Sequence, residues 1–154
     1  MNPIHHVLDV QAPPEAVFTS ITTAEGLSAW WTATALEGTA TQGSLFLFTF
    51  RGRFTPLLRI TEIDSPSFVA WEGVSGHDAW GPTSLQFRLD PVEGGTKVSF
   101  RHRMGADRPD DAMASANFNW GYYLDSLRLL CETGQGKPYR PGAPGARVGA
   151  TTVD

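Results

Sequence analysis

Four histidines, His5, His6, His77 and His102, are the side chains of this sequence best suited to holding a metal ion or moving a proton. His5 and His6 are adjacent in a segment that alternates as a strand, so they point to opposite faces and cannot close on one ion. No HxH or HxxxH spacing occurs, and no carboxylate sits at ligand spacing beside any of them. No metal site is expected. His102 is different, because Val98, Phe100 and Met104 share its face. It reads either as a core histidine with its hydrogen bonds satisfied or as a hydrogen-bonding group inside a ligand cavity.

Nucleophilic catalysis finds no support. The serines fall in turns or on outward strand positions, and no G-x-S-x-G elbow is present. Gly94-Gly95-Thr96 sits in a hairpin and precedes no helix, so it is not a phosphate loop. Asp64, Asp90 and Glu93 have the setting of turn carboxylates and do not form an acid–base pair. Cys131 is the sole cysteine, which rules out an internal disulfide and a thiolate metal site. Its place in a hydrophobic stretch reads as a small buried residue in a reducing compartment. No catalytic residue and no cofactor are predicted.

Aromatic residues carry the stronger signal. Phe46, Phe48 and Phe50 alternate along one segment, and Trp71, Phe87, Trp120 and Tyr123 also fall on predicted inward faces. Two readings stay open: a large aromatic core, or an interior incompletely filled by its rings and suited to a flat apolar ligand. On the second reading the ligand-binding residues are Trp30, Phe48, Phe50, Trp71, Phe87, His102, Trp120 and Tyr123.

The elements that must position these residues follow from periodicity. Ile4 to Val10 alternates as a half-buried strand. Pro13-Pro14-Glu15 suits a helix start, and Val17, Phe18 and Ile21 share one face of that helix. Thr23 is a cap for a second short helix ending at Trp30-Trp31. Strand patterns follow over 44–50, 57–63, 68–72, 83–89 and 96–104, joined by short turns as in an antiparallel meander. In 83–89 the residues Thr83, Leu85, Phe87 and Leu89 face inward, while Ser84, Gln86 and Arg88 face outward. Asp110-Asp111 opens a helix to about residue 133, with acidic residues placed well against its dipole and Gly134 as the stop. Gly121 is its weak point, costing about 1 kcal/mol relative to alanine unless something packs close against it. Loop 73–82 is glycine-rich and is either a lid or a long hairpin connection. Residues 135–154 hold too little apolar surface for a core and are expected as a tail, anchored by Tyr139 to the domain surface or to a second subunit. The division expected is a domain over 1–134 and a tail over 135–154.

Composition bounds the partners. The chain has 154 residues, 41% of them hydrophobic, which is enough for one real core. Twelve Lys and Arg against 16 Asp and Glu give a formal charge of −4, the wrong balance for a nucleic-acid binder. No run approaches the ~20 apolar residues of a membrane span, and the N-terminus lacks a leader pattern, so a cytoplasmic protein is expected.

Three segments carry a resemblance. Thr23-Ala24-Glu25-Gly26-Leu27-Ser28-Ala29-Trp30-Trp31 resembles the two-tryptophan helix end of the START-like helix-grip (SRPBCC) superfamily, in the branch named for the activator of heat-shock-protein-ninety ATPase. Leu85 through Val98 is similar to that branch's last hairpin, and Trp120 through Gly134 to its long C-terminal helix. The match runs over residues 4 to 134. It implies an α+β fold of order β-α-α-β6-α, in which a curved antiparallel sheet grips the C-terminal helix and leaves a cavity between them. The superfamily includes lipid carriers, hormone receptors and polyketide cyclases, so membership alone does not give the chemistry.

The leading expectation is binding of a small hydrophobic molecule, aromatic or lipid-like. A cyclase- or dehydratase-type enzyme, using His102 or Tyr123 to move a proton, is the second reading. A chaperone-interaction module is the third, and a homodimer is a further expectation.

Overall fold

The computed structural model describes residues 3–32, 40–48, 56–74, 82–105 and 110–139. The elements run β1 (Ile4–Val10), α1 (Pro14–Thr22), α2 (Ala24–Trp30), β2 (Leu45–Leu47), β3 (Leu57–Asp64), β4 (Phe68–Gly73), β5 (Thr83–Val92), β6 (Gly95–Met104) and α3 (Asp110–Thr133). The six strands form one antiparallel sheet in the order β1-β6-β5-β4-β3-β2. The α+β helix-grip architecture is thus present. Among the described residues five strands follow α2, where the resemblance implies six, and 33–39 and 49–55 lie outside the description.

Each element has a local cause. Pro14 begins α1 with its fixed φ at a position where no amide hydrogen is needed. The Thr23 hydroxyl caps α2 by accepting from the Gly26 amide at 3.0 Å. Gly26 lets α2 lie directly on α1, because a Cβ there would come within 2.6 Å of the Ser20 Cα. Strand alternation sets the register of β5 and β6, pairing Leu85 with His102 and Phe87 with Phe100 on the inner face. A register shift between Ile60 and Glu62 bends β3 against β4. Helix α3 opens on Asp110 and Asp111 and ends at Gly134, whose φ of +88° suits only glycine, with its amide bonded to the Leu130 carbonyl at 2.9 Å.

The core lies between the concave face of the sheet and the three helices. Trp120, Tyr123, Leu124 and Leu127 are the buried face of α3, at the three- and four-residue steps the periodicity predicts. The approach at Gly121 is looser than expected. A Cβ there would meet only His6 Cε1, at 3.7 Å, an ordinary van der Waals distance. Of loop 73–82, only Gly73, Val74 and Pro82 are described, so the lid expectation lies outside the described residues.

The first residues of the expected tail are seated on the domain. The Lys137 amide donates to the Ser126 hydroxyl at 2.6 Å, the Tyr139 amide donates to the Trp31 carbonyl, and Tyr139 is buried. Gly136 passes where a Cβ would meet the Ala29 carbonyl oxygen at 2.6 Å and the Ser126 carbonyl oxygen at 3.0 Å. Residues 140–154 lie outside the description.

Candidate functional site

Inside the fold the aromatic side chains form one continuous network. Phe100 lies against Trp120 with ring centres 4.3 Å apart, and Phe87 meets Phe100 at 4.9 Å. Trp31 joins Trp120 at 4.9 Å and Phe48 at 4.6 Å, and Phe46 meets Trp71 edge-on at 4.9 Å. Offset and edge-to-face contacts of this kind stabilise beyond their area, by about 0.5–1.5 kcal/mol each.

Beside Trp31 the packing leaves a void of about 10 Å³, the room of roughly one water molecule. The rings of Trp31, Phe48, Trp71 and Phe87 wall it, and Ile21, Leu27, Leu58 and Leu85 complete the lining. The surface turned to the void is almost wholly apolar, so a water there would be poorly held. Among the described residues this part of the interior is apolar and nearly filled.

Of the residues singled out from sequence, Phe48, Trp71 and Phe87 line this void directly. Trp30 stands one layer back, fully buried, with its indole N–H donated to the Ser20 carbonyl at 2.8 Å and its ring stacked on Trp31 at 5.6 Å. Trp120 and His102 sit farther along the network, and Tyr123 is buried against Tyr122, with ring centres 5.0 Å apart. Phe50 and His77 lie outside the described residues. Trp31 was missed as a lining residue. It is the C-cap of α2, and its φ of −122° and ψ of −84° leave the helical region. Helical periodicity carries no signal about such a backbone turn.

His102 is wholly buried and is a satisfied histidine. The Trp120 indole N–H, which can only donate, donates a hydrogen bond to His102 Nδ1 at 2.9 Å. A neutral imidazole then carries its hydrogen on Nε2 and donates it to Thr83 Oγ1 at 2.6 Å. The Thr83 hydroxyl is left to donate to the Arg103 carbonyl at 2.9 Å, as observed. The relay fixes the tautomer and ties α3 to β5 and β6 at one end of the aromatic network.

Burial, with Tyr122 and Tyr139 nearby, raises the Tyr123 phenol above its ordinary pKa. The Cys131 thiol is partly buried, and desolvation raises its pKa while the Ser20 hydroxyl opposes the shift. Both groups are thereby kept in their protonated, uncharged forms near neutral pH. Asn119 is buried on α3, and neither atom of its amide has a hydrogen-bond partner. Among the described residues no three His, Cys, Asp or Glu side chains converge as a metal site would require. No helix among them is long and apolar enough to cross a membrane.

A sheet wrapped on one long helix, with two short helices inserted after the first strand and an apolar interior, defines a START-like helix-grip domain. Residues 11–132 match the family described as "Activator of Hsp90 ATPase homolog 1-like protein", and the chain belongs to that family. Its fold is similar to that of the Aha1 dimer from Colwellia psychrerythraea, solved in solution, with a TM-score of 0.77 and 32% identity over 88% of this chain and 100% of that one. The fold also resembles protein SSP2350 from Staphylococcus saprophyticus, with a TM-score of 0.72 and 18% identity over 88% of this chain and 96% of the other. Protein BH1534 from Bacillus halodurans gives a TM-score of 0.69 at 21% identity, covering 86% and 98% of the two chains. No curated protein matches the chain.

Proposed function

We propose that this domain binds a small, flat hydrophobic molecule, aromatic or lipid-like, between the sheet and α3, and that it works as a homodimer. The observation that carries the binding reading is the almost wholly apolar void walled by Trp31, Phe48, Trp71 and Phe87. At about 10 Å³ it is a seed and not a finished pocket, so the ligand takes its place by displacing rings. Trp30, His102, Trp120 and Tyr123 then form the surrounding shell, with Phe50 kept as a candidate. The two ring nitrogens of His102 are engaged by Trp120 and Thr83, which favours a shape-selective binder over proton transfer at this residue. The dimer reading rests on the Colwellia relative, 32% identical and covered along its whole length.

The test is a titration of the wild-type chain with a hydrophobic dye or an aromatic polyketide, followed by tryptophan fluorescence, alongside native mass spectrometry of freshly purified protein. Saturable binding that changes in Trp120→Ala and not in the outward-facing Gln86→Ala is expected. A folded sample that binds no apolar compound refutes the reading. The small size of this void favours one competitor, a module that acts through its surface on a chaperone, and an empty titration combined with chaperone binding would establish it.

A further inference from the structure

Among the described residues the two outer strands of the sheet differ. β2 offers three residues, Leu45–Leu47, while β1 offers seven, Ile4–Val10, and pairs only with β6 among the described residues. An open edge is a row of backbone donors and acceptors that another strand can complete. The outward face of β1 presents His5, Val7 and Asp9, with Val7 at the centre and 54% exposed. Exposed large hydrophobics among the described residues are confined to Val7, Val92 and Phe118. Phe118 is 60% exposed. The preceding residue, Asn117, bonds the His6 ring of β1 through its side-chain oxygen at 3.0 Å, and Gly121, three residues on, faces the same ring.

Building on the homodimer reading above, we propose that a second copy of this chain docks on β1, strand against strand and antiparallel, about a two-fold axis through Val7. In that register Val7 meets its own copy, and His5 of each protomer faces Asp9 of the partner subunit. One seven-residue strand thus supplies both halves of a self-complementary interface, as a two-fold axis requires. A shift of one residue sets outward positions against inward ones. A shift of two sets Asp9 opposite Val7, and a parallel arrangement sets Asp9 against Asp9. On β6, Lys97 already lies opposite Asp9 and Arg101 opposite His5, so each Asp9 carboxylate stands between two bases. The two sheets become one continuous sheet.

Sedimentation of the full chain establishes whether it dimerises. Val7→Cys, made with Cys131→Ser, then tests the face under mild oxidation. Facing residues of an antiparallel pair have Cα atoms about 4.5–5.5 Å apart, within disulfide range. A covalent dimer through Val7→Cys, and none through Val92→Cys, is expected. His5→Asp sets like charges opposite each other twice per interface and raises the dissociation constant about tenfold, and His5→Asp with Asp9→His restores it. A dimer that does not cross-link through Val7→Cys, or that ignores His5→Asp, overturns this face while leaving the homodimer intact. A chain that stays monomeric at all concentrations overturns both.

Discussion

Replacing Phe87 by alanine tests the packed interior and its capacity for a ligand together. The ring is 3% exposed, lies 4.9 Å from Phe100 and 6.4 Å from Trp30, and forms one wall of the void. Losing its transfer free energy costs about 2–3 kcal/mol. A retained cavity of roughly 100 Å³ adds about 2.4 kcal/mol at ~24 cal/mol per Å³. The neighbours are poorly placed to collapse into the gap, since the Trp30 indole is tied to the Ser20 carbonyl and Phe100 is held on Trp120 at 4.3 Å. The expected loss is therefore about 4–5 kcal/mol, at the upper end for such truncations. At about 2–4 °C per kcal/mol for a chain of this length, the melting temperature falls by roughly 10–20 °C.

The same variant is expected to gain affinity for indole, a flat apolar probe. An added ligand at a hundred times its dissociation constant stabilises by about 2.7 kcal/mol, which returns roughly 5–10 °C. The wild-type void of about 10 Å³ cannot take indole without displacing rings, so its shift at the same concentration is smaller. Thermal unfolding with and without indole, on both proteins, gives the answer. A loss below about 1.5 kcal/mol would mean that the site collapses freely or was never tightly packed. A wild-type shift equal to that of Phe87→Ala would mean that the interior already has room. Either result refutes the argument.

Gly121→Ala should stabilise the chain by about 0.5–1 kcal/mol in denaturant unfolding, since the new methyl meets only His6 at 3.7 Å; destabilisation would mean tighter packing there. Asn119→Leu should stabilise by about 1–3 kcal/mol, because both amide atoms are buried without partners, and a loss would reveal a partner the amide needs. Gly136→Val forces a side chain onto the Ala29 and Ser126 carbonyls and should lift the segment that carries Tyr139, read as faster exchange of the Lys137 and Tyr139 amides; unchanged protection would contradict that seat. Raising the pH should weaken the fold above about pH 10, where Tyr123 ionises in the unfolded chain while burial keeps it protonated in the folded one. The contribution is intact below that pH and is lost at up to about 1.4 kcal/mol per pH unit above it, and Tyr123→Phe should show a shallower decline.

The fold was legible because its elements announce themselves locally. Alternation in 83–89 and 96–104 gave the inner faces of β5 and β6, and the inward reading of Trp120 and Tyr123 matched the buried face of α3. Thr23 sits where a cap was expected, and its side chain makes the capping bond. The site was legible only as a set of inward rings. Which tryptophan reaches the void depended on a C-cap backbone angle, so Trp30 was named and Trp31 was not. The degree of closure is also invisible in a pattern, because alternation says which side chains turn inward and not how completely they fill the space. The seat of the tail turns on Gly136 and Tyr139, too short a run to show a period.

The two ends of the aromatic network have different mechanical character, and that bears on how a ligand gains entry. At one end the Trp120–His102–Thr83 relay fixes α3 to β5 and β6 through hydrogen bonds made in a buried setting, where losing one is costly. At the other, the surface turned to the void is almost wholly apolar, and the Trp31 carbonyl is bonded by the amide of Tyr139. Apolar contacts are individually weak and non-directional, so the Phe48 and Phe87 rings there can change rotamer without breaking a hydrogen bond. Opening at the Trp31 end is thus the less costly route. Any affinity measured on the wild-type chain is then the intrinsic affinity reduced by the fraction of molecules in the open form. A substitution that loosens the seat of Tyr139 should tighten ligand binding, whereas one that breaks the relay at Thr83 should lower stability without that gain.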